Sequence, residues 1–181
     1  ASALYRYVAR KDDLLNLMVD GVLAAGELVP CGDWRADLRQ VGHALRAVFK
    51  AHPWLATALA GRPTLGPNRL KALEATLALL APSGLALGER LLLIDVLTFY
   101  VRGFVASELA GEEAIRQSGQ SPAQWAADQA AYTEAIRQSG AHPLASALFD
   151  EAQQTGAADQ DIGFAAGLEI VLDGIAVRMP D

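Results

Sequence analysis

Leu91-Leu92-Leu93-Ile94-Asp95-Val96-Leu97-Thr98-Phe99-Tyr100-Val101-Arg102-Gly103-Phe104-Val105 is apolar on almost every side when wound as a helix. It is the centre of the longest helical pattern in the chain, Gly88 to about Gln117. A helix without a polar face has to be covered on several sides, by its own domain and by a partner. Downstream, Ser118 to Pro122 is a polar break. Ser121 caps, and Pro122 opens, a helix to about 138. Further helices run from Pro143 to about Gln153 and from Asp161 to Met179, the last carrying Phe164, Leu168, Val171, Leu172 and Ile175.

Upstream the same period recurs. Leu70, Leu73, Leu77 and Leu80 stripe a helix over 68–81, closed by Pro82-Ser83-Gly84. A loop over 61–67 holds Gly61, Pro63, Gly66 and Pro67, and a short helix follows Pro53 from Trp54 to Ala60. Asp33 is the N-cap of a helix to about Ala51. Leu38, Val41, Leu45 and Val48 form its apolar face, with Arg35, Arg39, His43, Arg46 and Lys50 opposite. Lys11 to about Gly26 carries Leu14, Leu15, Met18, Val22 and Leu23 on one stripe, with Asp12 and Asp13 in the first turn, where the helix dipole favours them. Ala3 to Val8 reads as the tail of a preceding helix. Glu-Ala-Ile-Arg-Gln-Ser-Gly occurs twice, at 113–119 and 134–140, each time as a helix end stopped by glycine. Eight or nine helices and no convincing strand make the fold class all-α.

The chain has 181 residues, 52% of them hydrophobic, enough for one compact domain with a fragment of a second. A single cysteine, Cys31, allows no internal disulfide and fits a reducing cytoplasm; it reads as a loop thiol. No apolar run reaches the roughly 18 residues of a membrane span, and the start lacks the apolar core of a signal peptide. The expected location is cytoplasmic. The first residue is Ala1 rather than methionine, so the natural N-terminus is expected upstream. The net charge of −6 is unevenly spread: residues 1–88 hold ten Lys/Arg against seven Asp/Glu, residues 89–181 five against fourteen. Arg6, Arg10 and Lys11 meet no acid within the first eleven residues, so any polyanion contact belongs at that end.

Enzyme chemistry finds little support. His43, His52 and His142 lie far apart, in no metal-ligand spacing, and His52 and His142 each precede a proline at a helix junction. No nucleophile elbow and no strand-borne phosphate loop is present. The expectation is no catalytic residue, no metal and no cofactor.

Leu4-Tyr5-Arg6-Tyr7-Val8, then Lys11 and Leu14-Leu15, resembles the end of the helix-turn-helix of the TetR family of transcriptional regulators. In that family a Leu-Tyr-x-(His/Tyr)-(Val/Phe) run ends the recognition helix, and a short joint leads to a lysine and a Leu-Leu pair. Gly61-Arg62-Pro63-Thr64 followed by Leu73-Glu74, and Gly167-Leu168-Glu169 followed by Gly174-Ile175, are similar to further stretches of the tetracycline-repressor subgroup, in the same order. The resemblance implies that 1–10 is the end of a recognition helix and 11–181 a ligand-binding and dimerising domain. It implies operator DNA, a homodimer and a small-molecule effector as partners, no membrane, and a function in ligand-responsive transcription control, read as repression released by a small, largely apolar effector. Tyr5 and Tyr7 hydroxyls and the Lys11 ammonium are the expected phosphate contacts. The long helix and the last helix would form a four-helix bundle with those of the partner, through Gly103, Phe164, Gly167, Leu168, Val171 and Ile175. The chain departs from the tetracycline repressor where Ala58 and Leu59 occupy the region of a magnesium-ligating histidine, which disfavours a magnesium–tetracycline ligand.

Asp95, Thr98 and Arg102, at i, i+3 and i+7, lie along one side of the long helix. Buried charges are costly unless paired. The row is either a structural ion-pair network or a polar rail in an apolar cavity, and the two are compatible. The second reading places the ligand among Leu45, Trp54, Thr76, Asp95, Thr98 and Arg102, with Arg102 facing an anionic or hydroxyl group. A helical protein-binding scaffold and a helical enzyme of another type remain as alternatives.

Overall fold

The computed structural model describes residues 8, 10–24, 29–59, 66–155 and 159–179. These residues form eight α-helices and no strand: α1 Lys11–Leu23, α2 Trp34–Ala51, α3 Pro53–Ala58, α4 Pro67–Leu79, α5 Leu87–Ser118, α6 Pro122–Ser139, α7 Pro143–Thr155 and α8 Gln160–Ala176. A single 3-10 turn, Ala81–Ser83, follows α4. The all-α expectation holds. Tyr5, Tyr7 and the helix tail read over Ala3 to Val8 lie outside the described residues, except Val8, which is buried.

The helix boundaries follow local chemistry. Asp33 caps α2, its carboxylate accepting from the Arg35 N–H at 2.9 Å. Ser121 and Gln124 form a reciprocal capping box on α6, with Pro122 in its first turn. Pro53 opens α3 and Pro67 opens α4.

The chain divides into two compact units. One is Ala1–Val105 with Leu168–Asp181. In it α1 packs on α3 and α4, and α2 also packs on α3 and α4. Its core includes Val19, Leu38, Phe49, Leu55, Leu80, Leu97, Val101, Leu168 and Leu172. The second is Ala106–Gly167, where α6 packs on α7. There the repeated heptapeptide proves to be one helix stop used twice. Ser118 and Ser139 donate to the carbonyls of Ile115 and Ile136, both at 2.7 Å. Gln117 and Gln138 donate to Glu113 and Glu134. Gly119 and Gly140 take left-handed φ values of 70° and 64°. The copies differ in one partner: Arg137 also reaches Asp150 of α7, at 2.5 Å.

Three apolar stripes are buried differently from the sequence expectation. On α1 the buried residues are Val19 and Asp20, while Met18 is exposed. On α2 the buried face is Asp37, Leu38, Gly42, Arg46 and Phe49, whereas Val41, Leu45 and Val48 are only half-buried. On α4 Leu70 and Leu73 are exposed, and Leu79 and Leu80 are buried. The period identified helices in each case, but several faces carry apolar residues and only packing selects among them.

On α5, Leu93, Ile94, Leu97, Val101 and Val105 turn inward, while Leu92, Val96, Phe99 and Gly103 are exposed in one row at i, i+4, i+7 and i+11. On α8, Phe164, Leu168 and Ile175 are buried within this chain, so these three expected dimer contacts are core residues here. The exposed apolar residues of that helix and the turn after it are Ile162, Ile170 and Val177. Gly167 and Val171 are half-buried.

Candidate functional site

A cavity of about 320 Å³ opens between α1, α2 and α4. From the C-terminal end of α1 come Val22 and Leu23, with Ala24 just beyond it. From α2 come Gln40, Val41, Ala44, Leu45 and Val48, a single face of that helix. From α4 come Asn68, Lys71, Ala72, Ala75 and Thr76, again one face. Ala44, Ala72 and Ala75 are small enough to leave the space, and valines and leucines make its walls apolar. The half-buried stripe of α2 is therefore a cavity wall. A mostly apolar concavity with few polar groups is the form that small-molecule sites take.

The α4 wall is pinned to α1 by Asp20. Its Oδ1 accepts from the backbone N–H groups of Asn68 and Arg69, both at 3.0 Å, and its Oδ2 accepts from the Asn68 side-chain amide at 2.9 Å. Gly66, which precedes α4, supplies no side-chain cap, so the cap comes from another helix. A carboxylate at a helix N-terminus also answers the positive end of its dipole. The approach is close: a Cβ on Gly66 would lie 2.0 Å from Asp20 Oδ1. Glycine is needed there for space.

On its other side α2 is tied to α8. Arg39 Nε donates to Glu169 at 2.5 Å, and Arg35 donates to Glu169 at 2.8 Å and to Asp173 at 2.5 Å. Hydrogen bonds from Arg39, then Arg35, hold the Glu169 carboxyl down to about 2, against desolvation. At the start of α2, Asp37 is buried and accepts from the Cys31 N–H at 2.8 Å, which lowers its pKa.

Of the six ligand contacts expected from sequence, Leu45 and Thr76 line this cavity. Trp54 does not; it is half-buried with its ring edge-on to His52, centroids 6.2 Å apart. Asp95, Thr98 and Arg102 do not line it either. Thr98 donates to the Ile94 carbonyl at 2.8 Å, and the Arg102 guanidinium lies over the Phe99 ring, 5.5 Å from its centroid. Phe99 is 58% exposed, so this polar row flanks the open apolar row of α5. Partial hydration spares Asp95 and Arg102 the cost of burial, and no ion pair joins them. Lys11, the expected phosphate contact, is exposed at the first position of α1. Asp20 escaped the sequence reading altogether; an acid inside an apolar helical stripe was the available signal.

A family model described as "Tetracyclin repressor-like, C-terminal domain" matches residues 28–179. The chain belongs to the TetR family. The HTH-type transcriptional repressor DrrR1 of Streptomyces coeruleorubidus is 35% identical over 178 residues, which is 97% of this chain and 64% of that protein. The chain thus spans less than two thirds of this relative's length. Among solved structures, ActR of Streptomyces coelicolor in complex with actinorhodin superposes with a TM-score of 0.74 at 28% identity, covering 99% of this chain and 82% of that one. Apo ActR gives a TM-score of 0.73 at 26% identity, with the same coverage. In TetR terms the cavity lies beside α1, the helix that starts directly after the residues resembling the end of a recognition helix. Among the described residues no helix is long and apolar enough to cross a membrane, and no cluster of His, Cys, Asp and Glu is placed to hold a metal ion.

Proposed function

We propose that this chain is the effector-sensing and dimerising part of a TetR-family repressor. A small, largely apolar molecule enters the cavity between α1, α2 and α4, with Leu45 and Thr76 among its contacts. Residues 1–10 end the recognition helix of the DNA head, and Tyr5, Tyr7 and Lys11 contact operator phosphates. The observation that carries the reading is the apolar cavity whose wall is the far end of α1 itself. A molecule wedged between α1 and α4 favours one setting of α1 over another. By that differential affinity it shifts the spacing of two DNA heads and lowers operator affinity. The relatives support this: DrrR1 carries the name of a repressor, and ActR is seen in complex with actinorhodin.

The homodimer forms through the open apolar rows, Leu92, Val96, Phe99 and Gly103 on α5 and Ile170 and Val177 at α8, with Gly167 and Val171 at the edge. The test uses protein with a complete helix-turn-helix. It should retard a duplex recovered by selection from random sequence, and compounds that raise the melting temperature should release that duplex. Stabilising compounds that leave DNA bound would overturn effector release, and failure to select any duplex would overturn the regulator reading.

A further inference from the structure

We infer that the effector is an organic anion and that Lys71 pairs with its negative group, a reading that rests on the cavity being the effector site. Lys71 is the one charged residue among the described residues that line the cavity. It makes no ion pair with another described residue, not even with Glu74 one turn along α4. Asp20, hydrogen-bonded to the lining residue Asn68, has its two oxygens engaged by three donors at the start of α4. Among the described residues no carboxylate lines the cavity, so a cationic ligand would meet Lys71 with no described lining acid to offset the repulsion.

The remaining polar groups of the lining divide into acceptors and donors. The Thr76 hydroxyl donates to the Ala72 carbonyl at 2.8 Å, so towards a ligand it can only accept. One of the two Asn68 amide N–H groups is given to Asp20. The donors left among the described lining residues are the second Asn68 N–H, the ammonium of Lys71 on α4 and the side-chain amide of Gln40 on α2, the last two on exposed residues of facing walls. These donors and the aliphatic walls beyond them fit an amphipathic acid: a flat or aliphatic body bearing a carboxylate, sulfonate or phenolate. The volume of about 320 Å³ is at the small end of the range for ligand cavities, which suits a compact ring system. A neutral ligand of the same body gains the apolar contact but not the charge-assisted hydrogen bond.

Two fluorescent probes that share their rings and differ in charge test this on the chain 1–181: anilinonaphthalene sulfonate and neutral N-phenylnaphthylamine. The sulfonate should bind more tightly, and added salt should narrow the gap. Lys71→Met should weaken the sulfonate by roughly two- to fivefold, the upper range of an exposed charge pair, and leave the amine unchanged. Lys71→Arg should retain the preference. Ala75→Trp, or Ala72→Met if the tryptophan variant does not fold by circular dichroism, fills the cavity and should remove both probes. If filling removes both while Lys71→Met leaves the sulfonate preference intact, the anion assignment is overturned and the cavity reading stands. If both probes still bind after filling, the cavity reading itself falls.

Discussion

The cavity between α1, α2 and α4 and the outer row of α5 are both apolar surfaces that the chain leaves uncovered, and they differ in shape. The cavity is concave because alanines stand where larger residues would fill it: Ala44 on α2, Ala72 and Ala75 on α4. The α5 row is convex because Leu92, Val96 and Phe99 project from it, Phe99 with the Arg102 guanidinium over its ring. A concave apolar wall surrounds a small molecule and can desolvate most of it. A projecting row of leucine, valine and phenylalanine can bury itself only against another extended surface, which for a helix means another helix. The same excess of apolar residues thus serves two kinds of partner, sorted by side-chain size.

The largest effect should come from charging the convex row. Val96→Asp with Phe99→Asp puts two unpaired carboxylates where a partner helix would cover them. Uncompensated buried charge costs roughly 3–5 kcal/mol, so the dimer dissociation constant should rise at least about 100-fold. Sedimentation equilibrium measures this. The neutral probe should still bind the cavity, because neither residue lines it. A variant that dimerises like the parent would remove the convex row as an interface.

Next in size is the Asp20 clamp on the concave side. Asp20→Ala strips the N-terminus of α4 of three hydrogen bonds from α1. Loss of a helix cap costs about 1–2 kcal/mol. Urea unfolding should show this loss, with dimerisation unaffected at temperatures where the variant is folded. Gly66→Ala should reproduce it by steric means, since the new methyl would meet the Asp20 carboxylate.

What was legible beforehand divides along the same lines. Features settled within one turn of chain were read correctly: the Asp33 and Ser121 caps, the glycine stops at 119 and 140, and the all-α class. Features settled between distant segments were not. Asp20 meets Asn68 across 48 residues of sequence, which no local pattern shows. On α8 apolar residues occur on opposite sides, so the period could not say that Leu168 faces inward while Ile170 faces out. Leu45 and Thr76 line the cavity, whereas Asp95, Thr98 and Arg102, which the sequence allows as an ion-pair network or as a polar rail, do not line it, because a charge on an apolar helix does not by itself imply burial. Partial exposure beside Phe99 was the cheaper solution.

The α2 wall of the cavity is paired on its other side with α8, and the ionic part of that pairing carries a pH signature. Glu169 ordinarily titrates near 4.5 and is held to about 2 here by Arg39 and Arg35. A depressed carboxylate stabilises the folded chain fully above its unfolded pKa, and the contribution is lost as pH falls from about 4.5 towards 2. The Glu169 side chain is 39% exposed, so solvent screening reduces the benefit to roughly 1 kcal/mol. Glu169→Gln should remove that much stability at pH 7 and little at pH 2, read by urea unfolding at both. An equal loss at the two pH values would assign Glu169 a packing role instead.

The smallest effect, and the sharpest in sign, concerns the apolar part of the same seam. A Cβ on Gly42 of α2 would lie 3.0 and 3.1 Å from the two δ-methyls of Leu168, closer than comfortable contact. Leu168 is fully buried and has little room to move, so overpacking should cost 1 kcal/mol or somewhat more, about the low end of the usual range. Against it stands the gain from replacing a mid-helix glycine with alanine, roughly 0.5–1 kcal/mol. Gly42→Ala should therefore destabilise the chain by no more than about 1 kcal/mol. The sign should reverse once the obstruction is removed. In a Leu168→Ala background the new methyl has space, fills part of the void and keeps its helix-propensity gain, so the same substitution should stabilise. Urea unfolding of the four chains of this double-mutant cycle reads the coupling directly. If Gly42→Ala has the same sign in both backgrounds, close approach to Leu168 is not what glycine provides at this position.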